Sequence, residues 1–122
     1  MSAGEVACIT TGDSLCVLSG RFRIRLTAKN PRDGATGQGV AIAQNDLYGY
    51  FSIPSLTGNP GNVEVAVKML DARVVNGKFW VFYGGLTDLE YTLTVTDVST
   101  NATKTYTKPG LVFIGGADTS AF

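Results

Sequence analysis

Between Arg21 and Ala28 the chain alternates without a break: Phe22, Ile24, Leu26 and Ala28 fall on one side, and Arg21, Arg23 and Arg25 on the other. A period of two marks an extended strand that packs one face and wets the other. The pattern returns at Val63, Val65, Val67 and Met69, interleaved with Glu64, Ala66, Lys68 and Leu70. It returns again at Leu89, Tyr91, Leu93 and Val95, interleaved with Glu90, Thr92, Thr94 and Thr96. Each segment predicts a strand with one solvated face, and helical periodicity is almost absent.

The punctuation between these segments supports an antiparallel arrangement. Residues 30–39 gather a proline, three glycines and turn-forming polar residues, which read as a long loop. Val40–Gln44 and Tyr48–Ile53 are short strands around an Asn45-Asp46 turn, and Pro54 ends the second. Pro60, Gly58 and Gly61 mark 55–62 as a further loop. Asn76-Gly77 is the pair favoured in type I′ hairpin turns and should join neighbouring strands. Phe79–Tyr83 has no polar face, so it is expected in the middle of a sheet with both faces covered. Ser99–Ala102 turns the chain into Thr103–Thr107, giving a hairpin with a threonine-rich outer surface. After Pro109-Gly110, an apolar piece from Leu111 to Ile114 leads to a tail whose terminal Phe122 is expected to dock on the core.

Seven to nine short strands with turn signals every eight to twelve residues or so predict an all-β, antiparallel two-sheet β-sandwich, with a small β-barrel as the alternative. The 122 residues fit one domain, 1–122, able to bury roughly two-thirds of the surface of its unfolded chain.

Charge narrows the partners. Ten basic residues balance ten acidic ones, which removes the electrostatic term behind non-specific nucleic-acid binding. The apolar runs fall far short of the roughly 20 residues of a membrane-spanning helix. The opening Met-Ser-Ala-Gly-Glu lacks the charged start and apolar stretch of a secretory leader, which decides little about export, since a leader can be removed. Cys8 and Cys16 flank the turn-prone Thr-Thr-Gly-Asp-Ser. They read as a disulfide worth about 2–3 kcal/mol, and hence as a sign of an oxidising compartment, or else as two reduced thiols.

Histidine is absent, which removes the usual catalytic triad, the usual zinc sites and the commonest general base. Glu64 and Glu90 remain as a carboxylate pair for glycosidase-type chemistry, but both are expected on wet strand faces, and the chain is read as no enzyme. Calcium suits the residues better than zinc: Asp71, Asp88, Asp97 and Asp118 stand at predicted strand ends, although no calcium-loop spacing links them and turn formation also explains them. Trp80, Tyr48, Tyr50 and Tyr83 suggest a carbohydrate platform, yet a tryptophan in so apolar a strand is expected in the core. Tyr48 and Tyr50 are the better ligand candidates. The basic stripe Arg21, Arg23 and Arg25 could meet an anionic glycan. The threonines at 92, 94, 96, 103, 105 and 107 could offer a hydroxyl array, though β-propensity alone accounts for them.

Several stretches, taken in order, match a known pattern: the paired cysteines leading into Gly20-Arg21-Phe22-Arg23-Ile24, Asn62–Asp71, Asn76–Phe82, Tyr91–Asp97 and Asp118–Phe122. Over most of its length the chain resembles a β-rich module of secreted bacterial proteins. That family shows Phe-Trp-Phe-Phe where this chain has Tyr50-Phe51-Ser52-Ile53, with extra glycine and proline before Asn62. The resemblance implies a β fold and a secreted or cell-surface location, and it carries over no catalytic or ligand residues. The expectation is a non-catalytic extracellular binding or accessory module, engaging a glycan or protein through the 30–39 and 54–62 loops. The alternative is a structural subunit that self-assembles into a surface layer or filament by strand addition at exposed edges.

Overall fold

The computed structural model describes residues 7–112 and 115–122. Ten strands are found among them, more than expected, because segments taken as loop contain short paired pieces. They are β1 (Leu15–Val17), β2 (Phe22–Lys29), β3 (Thr36–Gln38), β4 (Val40–Ala43), β5 (Tyr48–Ser52), β6 (Val65–Ala72), β7 (Lys78–Gly85), β8 (Glu90–Asp97), β9 (Ala102–Lys108) and β10 (Gly115–Asp118). Two four-residue helical turns, α1 (Pro54–Thr57) and α2 (Arg73–Asn76), complete the elements.

The strands form two antiparallel five-stranded sheets, a β-sandwich. In the first the order is β1-β2-β8-β9, with β3 pairing the far half of β2 beyond β1. In the second the order is β10-β7-β6-β5-β4. The alternation read in the sequence fills the space between them. Phe22, Ile24, Leu26, Tyr91, Leu93 and Val95 from the first sheet meet Phe51, Val65, Val67, Met69, Phe79 and Val81 from the second, all buried. Phe22 stacks edge-on to Phe79 at 4.8 Å between centroids and packs against Phe122 at 5.1 Å, so the tail does dock on the core.

Two polar contacts tie the sheets together at their margins. Arg21 donates two hydrogen bonds to the buried Asp97, at 3.1 and 2.9 Å, while its guanidinium lies 4.5 Å from the Phe79 ring centroid across the sandwich. Tyr106 on β9 packs on Tyr83 of β7, and its hydroxyl donates to Asp118 Oδ2 on β10 at 2.7 Å.

Cys8 and Cys16 are joined as a disulfide with Cα atoms 5.7 Å apart, a pairing compatible with an oxidising compartment. The turn between them forms as the sequence suggests, with Thr11 N donating to Ser14 O. No helix among the described residues is long and apolar enough to cross a membrane.

The 30–39 segment is a hairpin rather than a long loop: β3 folds back on β2 with Lys29 opposite Thr36, and Asn30 N donates to Ala35 O. The Asn76-Gly77 pair does join β6 to β7, but through α2. Only Gly77 takes a positive φ, 76°, because five residues between Ala72 and Lys78 leave room for a helical turn closed by one left-handed residue. Phe79–Tyr83 is interior to its sheet but covered on one face only, since no layer lies over the outside of β7. Glu64 is not on a wet face: it precedes β6 and is only 5% exposed. Of the apolar piece after Gly110, Leu111 and Val112 are exposed, while Phe113 and Ile114 lie outside the described residues.

Candidate functional site

Once the inward residues are assigned to the core, what remains to recognise a partner is the outward set and the ends of the sandwich. On the first sheet the register aligns Arg25, Thr94 and Thr105 in one row, Arg23, Thr96 and Thr103 in the next, and Thr27, Thr92 and Thr107 in a third. This is the threonine surface read from the sequence. Two contacts lie on it: Thr96 and Thr103 hydroxyls are 3.5 Å apart, and Arg25 Nε donates to Ser14 Oγ at 2.8 Å. The basic stripe is split, because Arg21 turns to Asp97 and leaves Arg23 and Arg25 on the outer face.

The second sheet is different. Its outer face carries Tyr48, Lys68 and Phe82 in one row, Ile42, Tyr50, Ala66 and Gly84 beside it, and Leu70 next to Trp80 on the other side. Trp80 is therefore not a core residue. It stands half-buried on this face, edge-on to Phe82 at 6.2 Å, with Nε1 donating to Asn76 Oδ1 at 3.1 Å. Asn76 in turn donates to Thr119 O at 2.8 Å, so the indole is anchored through α2 to the C-terminal tail. Tyr48 is 42% exposed and Tyr50 half-buried, and the two expected ligand residues are thus joined by aromatic neighbours that the sequence reading had assigned to the core.

Small residues make this face concave. Between Tyr48, Lys68 and Phe82 lies a hollow of about 350 Å³, with Ala66 and Gly84 among its lining residues. A Cβ built on Gly84 would meet nothing within 4 Å. The Trp80 indole is held by Asn76 and Phe82, so stacking on it costs little side-chain entropy.

A second concavity occupies one end of the sandwich, where the 30–33 turn, α1 and residues 86–89 meet around a cleft of about 430 Å³. The 30–39 and 54–62 segments thus do converge. Arg32 pairs with Asp88 on the rim, and that hydrogen bond holds the Asp88 carboxyl below the usual carboxylate range. Glu64 lines the cleft, its backbone fixed by Glu64 N donating to Phe51 O and Leu86 N donating to Glu64 O.

The four aspartates are spread over protein partners. Asp71 is bound by Arg73, which lowers its pKa to about 2; Asp88 is paired with Arg32, Asp97 with Arg21 and Ser99, and Asp118 with Tyr106 and Ser120. Among the described residues no three His, Cys, Asp or Glu side chains come together as metal ligands.

Lys108 escaped the sequence reading altogether. It is 1% exposed, its amine donates to the carbonyls of Pro109 and Val112, and it lies 5.5 Å from the Tyr91 ring centroid. Burial pushes its pKa down. The signal was present: an alternation that sends Thr103, Thr105 and Thr107 outward sends Lys104, Tyr106 and Lys108 inward. No family model, no curated protein and no solved structure matches the chain.

Proposed function

We propose that this chain is a non-catalytic binding module of a secreted or cell-surface bacterial protein, holding a glycan against the outer face of its second sheet. The observation that carries this reading is the hollow between Tyr48, Lys68 and Phe82, with the anchored Trp80 beside it. Flat aromatic faces stack on the apolar C–H faces of sugar rings, while a lysine ammonium donates to hydroxyl or carboxylate oxygens at the ring edge. None of these residues belongs to the buried core, so their clustering on an outer face favours a ligand. The disulfide and the resemblance to secreted modules support an exported location. The non-catalytic reading is supported by the placement of the two glutamates: Glu90 is exposed on the first sheet opposite Lys29, whereas Glu64 leads into the second.

Self-assembly by strand addition has less support. The long edge strand β9 carries the inward-pointing Lys104, a charge that opposes pairing with another edge. The β4 edge is already met by the N-terminal segment, where Ala41 N donates to Gly12 O at 2.9 Å. The other edges are only three or four residues long.

The test is a glycan-array screen of the disulfide-bonded protein, followed by calorimetry on the strongest hits. Phe82→Ala and Tyr48→Ala should each weaken binding roughly tenfold or more, with Thr94→Ala unchanged. No glycan bound, or binding indifferent to both aromatic substitutions, overturns the proposal. Concentration-dependent mass in solution would instead favour assembly.

A further inference from the structure

The end cleft poses a separate problem of charge. Glu64 is 5% exposed, and among the described residues its carboxylate makes no side-chain hydrogen bond or ion pair, its oxygens keeping only a small opening to the cleft that they line. A carboxylate withdrawn from most of its water without a partner is costly, and the cost is relieved by whatever cation or donor enters beside it. The neighbouring charges do not serve. Arg32 is committed to Asp88, and Lys108, which also acts on Asp88, is held by its own carbonyls. Glu64 is the uncompensated charge of the cleft.

We infer that this cleft binds a primary ammonium group carried on an aliphatic stem. Leu56 and the 70% exposed Leu86 line the walls, giving apolar surface for the stem. Glu64 supplies the counter-charge, and the side-chain oxygens of Thr57 and Asn30 among the lining residues, each already accepting one backbone N–H, keep a lone pair for a further donor. A divalent metal is less suited, because no cluster of three ligating side chains is present among the described residues. The same ammonium chemistry is offered by a free alkylamine and by a lysine side chain. This site is independent of the aromatic face.

The experiment follows backbone amide resonances of the whole chain while n-butylamine or Nα-acetyl-lysine methylamide is added, with n-butanol and the Nε-acetylated lysine derivative as neutral controls. Shifts should be confined to residues around 30–32, 56–57 and 86–89, weaken with added salt, and be absent with the controls. Glu64→Gln should weaken binding by roughly tenfold or more. Leu86→Lys, at an exposed position, keeps the test usable if the first variant does not fold, since its own ammonium should compete with the added amine. Tighter binding of the lysine derivative than of butylamine identifies a peptide side chain as the source, and the reverse identifies a free amine. Equal shifts from the neutral controls, no shifts from either amine, or unchanged binding in both variants overturns the inference.

Discussion

Inside the sandwich, β8 presents Tyr91, Leu93 and Val95 and β6 presents Val65, Val67 and Met69, all buried; outside, β8 presents Thr92, Thr94 and Thr96, whereas β6 and β7 present Lys68, Leu70, Trp80 and Phe82. The inner sets resemble each other because both answer to the same requirement, the exclusion of water from one shared core. The outer sets answer to no such requirement. Threonine on the first sheet is what β-propensity and solvation produce unaided, but the aromatic residues on the second, which lie outside the buried core, are not favoured by water. An outward face that departs from its solvated counterpart is where recognition can be read.

The comparison can be broken first at the core. Leu93→Ala in the first sheet and Met69→Ala in the second are both fully buried, and each should cost about 2–5 kcal/mol in urea unfolding. A loss under about 1 kcal/mol for either would mean that the sheets do not share the core equally.

The second prediction concerns the seam where the sheets meet. Burial by itself would raise the Asp97 pKa; the hydrogen bonds from Arg21 and Ser99 outweigh it and hold the carboxyl below its usual range. A carboxyl depressed by folding adds stability above its unfolded pKa, about 3.9, and that stability is lost as pH falls through the folded value. Thermal midpoints should therefore drop as pH falls below about 4, and Asp97→Asn should make that acid limb shallower. The exposed Asp71–Arg73 and Arg32–Asp88 pairs contribute little by comparison. A profile unaltered by Asp97→Asn would remove the seam from the account.

The smallest expected effect is on the threonine face. Thr94 and Thr105 are directly opposed across β8 and β9, and replacing both with alanine should cost about 0.2–1 kcal/mol with no effect on ligand binding. A loss of glycan binding in that variant would reverse the assignment of the two faces.

The strands with one wet face were legible because their inward and outward residues differ in kind, as at Phe22–Lys29 and Glu90–Asp97. Phe79–Tyr83 was misplaced for the opposite reason: Phe79 and Val81 point inward and Trp80 and Phe82 outward, yet all four are apolar, so residue type cannot separate core from exposed face. Glu64 was misread because the alternation was extended one turn of the pleat too early. The strand begins at Val65, and the residue before it is covered by the 86–89 segment rather than by solvent.

The sequence by itself determined the strand content, the inward set of β2, β6 and β8, the cysteine pair and the absence of histidine chemistry, since each of these is a property of neighbouring residues or of composition. Only the tertiary structure decided that β2 pairs with β8, that β7 is bare on its outer side, and that the 30–33 turn, α1 and residues 86–89 enclose Glu64. These depend on bringing together segments far apart in the chain. The gain from such contacts appears only after the loop-closure entropy has been met and the whole core has formed, so no local pattern records them.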